Sequence, residues 1–168
     1  MSEAQVRERR MKGFAAYAAL EALPMPAIAV LQGPAVGSGC EIAAACDFIV
    51  ATPEASFRTP EAIRGTVGAT QRLPRILGKR LAKDLMFTGR ALTADEARTA
   101  GFVARVVEDL HKEASVIAEA ILKASPLALT LAKRTIDRGV ELDPAGALQS
   151  EIEAIEAQLA AGHWMGKT

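Results

Sequence analysis

The sequence predicts an α/β fold in which a small parallel sheet comes first and helices follow. Two observations predict it: a strand, glycine loop, helix and strand in series over residues 27–51, and a helical pattern over residues 109–161. The series is typical of a βαβ unit, whose two strands run parallel through a right-handed crossover. We therefore divide the 168 residues into an α/β core, 1–107, and a helical C-terminal region, 108–168.

The N-terminal half of the core supplies this series. Residues 3–23 are good helix formers with apolar side chains at helical spacings, and the two prolines that follow end this first helix. Residues 27–31 form an apolar run bounded by turn formers, which predicts a strand buried on both faces. Residues 33–39 form a glycine-rich loop, and a short helix is expected over 40–45 before a second buried strand at 47–51.

The elements after this unit are shorter. They comprise an edge strand, two helices, a capping-box helix that begins at Thr93 and ends at Gly101, and a third strand, predicted in that order at 55–58, 70–77, 80–87, 93–101 and 102–107. The helical C-terminal region is broken at Ser125-Pro126 and at Asp143-Pro144.

Composition and charge exclude several classes of protein. The chain is 50% hydrophobic, and its 20 Lys and Arg balance its 20 Asp and Glu. Clustered positive charge, which attracts nucleic acids and polybasic membrane anchors to phosphate groups, is therefore not expected. No apolar run approaches the length of a membrane span, and two cysteines make a poor disulfide framework. We expect a cytoplasmic protein with no nucleic-acid or membrane partner.

The loop Gly37-Ser38-Gly39 is the most informative feature of the composition. Small residues between a buried strand and a helix let a ligand approach the backbone, where unpaired N–H groups stabilise negative charge. A dinucleotide site is disfavoured because Ile42 occupies the third glycine position of that motif and Glu41 would repel a phosphate. A nucleophile elbow also lacks its flanking glycines. A turn that only packs helix against strand stays open.

Glu41 is an unusual residue for its surroundings. Its helix is otherwise apolar, so we expect it to be buried, where a carboxylate must be paired or raise its pKa. Such groups are concentrated at functional sites, although compensation of the helix dipole or a buried arginine partner is the alternative. Glu61, twenty residues later, reads by itself as an ordinary solvated glutamate.

Other candidates are weaker. Cys40 is either a reactive thiol at a helix start or, more simply, a small buried side chain. His111 and His163 have no metal-ligand spacing, so no metal site is predicted. The ending Gly166-Lys-Thr168 resembles the end of a phosphate-binding loop but lacks that motif's first glycine.

Taken together, three segments resemble the enoyl-CoA hydratase/isomerase, or crotonase, superfamily. They are Gly33–Ala51, Ala55–Glu61 and Thr70–Leu73, followed in matching order by Leu85–Gly89, Ala94–Ala97 and Ala100–Val103. The resemblance covers nearly all of this chain and about the C-terminal two-thirds of a usual member. It implies a crotonase-like fold of repeated ββα units with a helical C-terminal region that builds trimers or hexamers. It also implies that the family's N-terminal strands are missing here.

The resemblance implies chemistry on an acyl-CoA thioester, with coenzyme A as part of the substrate and no separate cofactor. The family's two catalytic glutamates fall on Glu41 and Glu61, and the backbone N–H of Ser38 falls on one of two donors to the thioester oxygen. Gly37, Gly39 and Gly68 are expected to contact substrate. The retained pair of glutamates favours hydration of a 2-enoyl-CoA.

Several alternatives remain open under this resemblance. The chain begins after the family strands that carry the second oxyanion donor, and the stretch 65–71 is about three residues shorter than usual. A non-catalytic acyl-CoA-binding or assembly subunit, an isomerase of the same family, and a fragment that folds only with a separate N-terminal polypeptide are the other readings.

Overall fold

The computed structural model describes residues 1–162, which form seven α-helices and six β-strands. The helices are α1 (Glu3–Glu21), α2 (Ser38–Ala44), α3 (Arg72–Thr88), α4 (Ala94–Thr99), α5 (Leu110–Leu122), α6 (Pro126–Gly139) and α7 (Pro144–Ala160). The strands are β1 (Ile28–Leu31), β2 (Pro34–Val36), β3 (Phe48–Ala51), β4 (Ser56–Arg58), β5 (Leu92–Thr93) and β6 (Arg105–Val106), and a 3-10 helix spans Ala62–Arg64. The predicted features at His163 and at Gly166-Lys-Thr168 lie outside the described residues.

The first sheet contains the predicted parallel pair. Its order is β1-β3-β6, and β1 pairs in parallel with β3 from Ile28 opposite Phe48 to Leu31 opposite Ala51. The prediction that β1 is buried on both faces is wrong, since Val30 is 47% exposed and the other three residues are half-buried. Position explains the difference, because β3 is the central strand and β1 lies at the edge of this sheet.

The second sheet was only partly foreseen. Its order is β2-β4-β5, with β2 parallel and β5 antiparallel to β4. The loop predicted over 33–39 therefore contains a strand, and the strand predicted as an edge is the central one. Both errors have one cause: strands of two or three residues are too short to show a period in the sequence.

The core lies under these sheets and buries small and branched side chains. Phe57 of β4 and Phe102 pack edge to face with ring centroids 4.9 Å apart. Phe102 and Val103 are buried, but the strand predicted over 102–107 narrows to Arg105–Val106. The apolar residues at 102 and 103 serve the core from a turn, so hydrophobicity alone overstated the strand.

Local capping signals placed the helix ends well. Thr93 and Glu96 form the predicted capping box at the start of α4. Ser125 and Asp143 cap α6 and α7, each followed by the proline that marked the predicted break. The two helices predicted over 70–77 and 80–87 form α3, which departs from helical geometry at Gly78, where φ is +74°.

Two compact units divide the described chain. The first comprises 1–23 and 27–116 and contains both sheets, and the second comprises 24–26 and 117–168. Within the second unit, the Thr130 hydroxyl donates to the Pro24 carbonyl over 2.7 Å, and Arg138 lies 3.7 Å from the Glu153 carboxylate. No single described helix is long and apolar enough to cross a membrane; only α5 and α6 counted together, across a sharp bend, pass that test of length and composition.

Candidate active site

Glu41 is buried in the first turn of α2, as the sequence predicts. It is 7% exposed, and its backbone N–H donates to the Gly37 carbonyl over 3.1 Å. The backbone of Ala69, which has a positive φ of 56°, hydrogen-bonds the carboxylate. The prediction that α2 has almost no exposed face is wrong, because Ile42 is 49% exposed. The helix thus turns its carboxylate inward and an isoleucine outward.

Burial raises the pKa of the Glu41 carboxyl above its ordinary value. The positive charge of Arg72, whose Nη1 lies 3.9 Å from Oε1 of Glu41, opposes that rise, while the negative charge of Glu61 adds to it. The Ala69 hydrogen bond also lowers the Glu41 pKa, and the charge of Glu21 raises it. A carboxyl with a raised pKa holds its proton at a pH where an ordinary glutamate has lost it.

Arg72 of α3 is fixed mainly by a partner other than Glu41. Its Nε and Nη2 donate to the two carboxylate oxygens of Glu21 over 2.6 and 2.7 Å, and its guanidinium lies 5.3 Å from the centre of the Tyr17 ring. Because Glu21 neutralises most of the Arg72 charge, Glu41 is only partly compensated. This arrangement combines both alternatives drawn from the sequence: Glu41 has a buried arginine neighbour, and its pKa is still raised.

We expect the Glu41→Gln variant to gain stability over the wild type as the pH rises. The folded-state pKa of Glu41 lies above its unfolded value, so the stabilisation that this carboxyl provides is present below the unfolded pKa and is lost as the pH rises through the folded one. Glutamine does not ionise, so the variant keeps its stability over that range. Urea unfolding from acid to neutral pH measures the difference. Glu119→Gln, at an exposed position of α5, is the control, and a difference that does not change with pH would contradict the account.

Glu61 lies directly before the 3-10 helix and is half-buried. Its Oε2 is fully buried and has no hydrogen-bond partner among the described residues. The backbone N–H of Thr66 donates to the Glu61 carbonyl over 2.9 Å, which closes the segment on itself. The solvated position that the sequence suggests for Glu61 taken alone is therefore wrong. An unpaired buried carboxylate oxygen is unfavourable for folding and is typical of a group that meets a ligand.

Two of the three predicted glycines make room for Glu61. Gly37 has a φ of +55°, and a Cβ there would lie 2.9 Å from Oε1 of Glu61. A Cβ on Gly68 would lie 2.9 Å from Cγ of the same side chain. Gly39 has no such neighbour within 4 Å. Gly37 and Gly68 therefore form walls against the glutamate, and a substrate contact by any of the three stays a prediction.

Ser38 offers a backbone donor beside the two glutamates. It is the first residue of α2, so its N–H precedes the first intrahelical hydrogen bond, and among residues 1–162 that N–H has no acceptor. The residue is exposed. Its N–H is therefore available to an oxygen atom of a bound molecule.

These groups line one cavity of about 650 Å³. Ser38, Glu41 and Glu61 lie on its wall, together with Gly37 and Gly68 but without Gly39. The sequence did not predict the other wall, which comes from α1 and from the segment after Glu61: Arg9, Arg10, Phe14, Tyr17, Arg64 and Val67. Phe14 and Tyr17 carried a signal, since they were recognised as the apolar side of the first helix.

Cys40 next to Glu41 is a buried, protonated thiol. It is fully buried, and burial together with the charges of Glu61 and Glu41 raises its pKa to about 12. A thiol with that pKa is not a nucleophile at neutral pH. The interpretation of Cys40 as a small buried side chain is confirmed. Among the described residues, no three His, Cys, Asp or Glu side chains come together as a metal site.

Comparisons with known proteins identify this arrangement. The sequence profile described as enoyl-CoA hydratase/isomerase matches residues 1–163. The chain belongs to the enoyl-CoA hydratase/isomerase family. Its crotonase-like α/β fold with a helical C-terminal region is confirmed by an enoyl-CoA hydratase crystal structure from Bacillus anthracis, which superposes with a TM-score of 0.88 at 37% identity over 95% of this chain and 64% of that one.

Curated members of the enoyl-CoA hydratase/isomerase family are also similar. The short-chain-enoyl-CoA hydratase of Clostridium acetobutylicum is 40% identical over 159 residues, and the crotonyl-CoA hydratase of Syntrophomonas wolfei is 38% identical over 159 residues. Each match covers 92% of this chain and 61% of the relative. The chain thus spans about three-fifths of the length of these relatives.

Proposed function

We propose that the protein is an enoyl-CoA hydratase-type lyase that adds water across the double bond of a 2-enoyl-CoA. The observation that carries the proposal is that Glu41, Glu61 and the free N–H of Ser38 line one cavity. The names of the relatives, a short-chain-enoyl-CoA hydratase and a crotonyl-CoA hydratase, support the same reaction.

Hydration needs one base and one acid on the same substrate. Water attacks C3 as one carboxylate takes its proton, and the other carboxyl gives a proton to C2, so the pair ends with the same number of protons that it began with. The raised pKa of Glu41 and the negative charge of Glu61 beside it favour a pair that shares a single proton. One carboxylate and one carboxylic acid are the forms that this reaction requires.

The thioester oxygen gains negative charge as water adds to C3. A hydrogen bond from the Ser38 N–H stabilises that charge without reorganisation, because the first turn of α2 fixes the donor. Such a donor is worth about 3–4 kcal/mol to the transition state. The same stabilised enolate serves double-bond migration, so isomerisation of a 3-enoyl-CoA is the second reaction to test.

The proposal is tested by combining turnover with binding. The purified protein is mixed with crotonyl-CoA, and loss of the conjugated-enoyl absorbance measures hydration while calorimetry with butyryl-CoA measures binding. We expect both turnover and binding. Binding without turnover of either a 2-enoyl- or a 3-enoyl-CoA would overturn the proposal in favour of an acyl-CoA-binding subunit.

A homotrimer or hexamer is the proposed assembly, and a cytoplasmic location stays a prediction. Four exposed apolar side chains follow one face of α7 at spacings of four, three and four residues: Leu148, Ile152, Ile155 and Leu159. An apolar stripe of this kind is typical of a surface that another subunit covers.

We expect Ile152→Glu combined with Ile155→Glu to disrupt the assembly. Each charge would have to be desolvated in an apolar contact, which is unfavourable. Size-exclusion chromatography with light scattering should give a trimer or hexamer for the wild type and a smaller species for the variant. Glu156→Gln, on the same helix, is the control. A monomeric wild type, or a variant of unchanged mass, would argue against this surface.

A further inference from the structure

Three arginines line the cavity that contains the two glutamates. Arg9 and Arg10 come from α1, and Arg64 comes from the 3-10 helix. In the described part of the chain, none of the three lies within ion-pair distance of a carboxylate, although Arg72 pairs with Glu21 nearby. The guanidinium groups outnumber the two carboxylates of this cavity, so its walls favour an anion.

Arg10 is held in place over the cavity. Its Nη2 donates to Oγ1 of Thr66, and the backbone N–H of Thr66 donates to the Glu61 carbonyl over 2.9 Å. This pair of hydrogen bonds joins α1 to the segment that begins at Glu61. A guanidinium has five N–H donors in a planar fork, so most of those of Arg10 remain available.

Arg64 is placed by the short helix that Glu61 precedes. Side chains three residues apart eclipse each other on a 3-10 helix, so Arg64 lies on the same side as Glu61. Its backbone N–H is anchored to the carbonyls of Pro60 and Glu61, each over 3.1 Å. The two arginines therefore approach the cavity from elements on either side of Glu61.

The remaining walls suit a short acyl chain. Phe14, Tyr17, Val36 and Val67 contribute apolar surface, which would be sufficient for a neutral substrate. Cations beside that surface would be useful to a substrate that carries its own negative charge near the reacting carbons. A carboxylate matches a guanidinium through two parallel hydrogen bonds.

We propose that this cavity selects 2-enoyl thioesters whose acyl chain ends in a carboxylate, which Arg10 and Arg64 bind. The inference rests on the proposed function, because it assumes that the acyl chain lies beside Glu41 and Glu61. The phosphates of coenzyme A are a second source of negative charge. We favour the carboxylate because the pantetheine arm separates those phosphates from the thioester, whereas the arginines share one cavity with the glutamates.

The test compares substrates that differ only in charge at the chain end. Glutaconyl-CoA carries a terminal carboxylate, and its methyl ester and 2-pentenoyl-CoA are neutral. We expect kcat/KM for glutaconyl-CoA to exceed that for both neutral substrates by about tenfold or more, the size of effect that a charge-assisted hydrogen bond produces. Arg10→Gln and Arg64→Gln should each reduce this ratio. Arg7→Gln, on α1 but outside the cavity lining, is the matched control and should not change it.

Binding of saturated analogues makes the test independent of turnover. Calorimetry with glutaryl-CoA and pentanoyl-CoA should show the same preference and the same loss of preference in the two variants. Equal Kd values in the wild type would overturn the inference. An equal loss of affinity for both analogues in Arg10→Gln and Arg64→Gln would also overturn it and would assign the arginines to the phosphates. A carboxylate preference in binding with no hydration would instead refute the proposed function alone.

Discussion

Glu41→Gln and Glu61→Gln are each expected to lower kcat for hydration of crotonyl-CoA by about 10²- to 10⁴-fold, the contribution of a positioned acid or base. Glutamine keeps the shape of the side chain but can neither accept nor donate the proton that moves in the reaction. The two side chains face one cavity, and Oε2 of Glu61 has no hydrogen-bond partner among the described residues. Initial rates at saturating substrate measure the effect.

The two variants need controls for folding and for charge. Glu119→Gln removes the same charge from the exposed face of α5 and should leave kcat unchanged. Urea unfolding should show that all three variants fold. A folded Glu41→Gln or Glu61→Gln protein with wild-type kcat would remove that residue from the mechanism.

Gly37→Ala is expected to lower kcat by about 10²-fold, the cost of displacing a reacting group by about an ångström. Its φ of +55° disfavours any side chain, and the new Cβ would lie 2.9 Å from Oε1 of Glu61. Glu61 must therefore move. The strained backbone should also lower the free energy of unfolding by about 1–3 kcal/mol. Kinetics and urea unfolding of the purified variant measure both effects.

The matched control for Gly37→Ala is Gly33→Ala. Gly33 has an ordinary φ and no atom within 4 Å of its Cβ position, so this variant should keep both kcat and stability. If Gly37→Ala lost stability but kept kcat, the contact between Gly37 and Glu61 would have no catalytic consequence.

The sequence was most informative where a feature is local. The capping box of Thr93 and Glu96 and the break near Gly78 need only neighbouring residues, and both were predicted. The burial of Glu41 followed from the apolar residues around it. In contrast, the strand at Pro34–Val36 forms only because β4 lies beside it, and a three-residue strand leaves no periodic signal.

The second wall of the candidate site depends on contacts between distant residues. Arg10 and Thr66 are 56 residues apart, and Arg72 and Glu21 are 51 apart. Nothing in a single sequence pairs one arginine with one partner among many. The resemblance supplied Glu61 for the same reason: its neighbours in the chain are unremarkable, and the close approach of Gly37 and Gly68 appears only after folding.

The most direct measurement is the product formed from crotonyl-CoA in deuterated water. The account predicts 3-hydroxybutyryl-CoA with the oxygen of water at C3 and one solvent deuterium at C2, formed by the wild type and lost together in Glu41→Gln and Glu61→Gln. Nuclear magnetic resonance and mass spectrometry of the product identify both positions. Unchanged crotonyl-CoA in the presence of the folded wild-type protein would contradict the account.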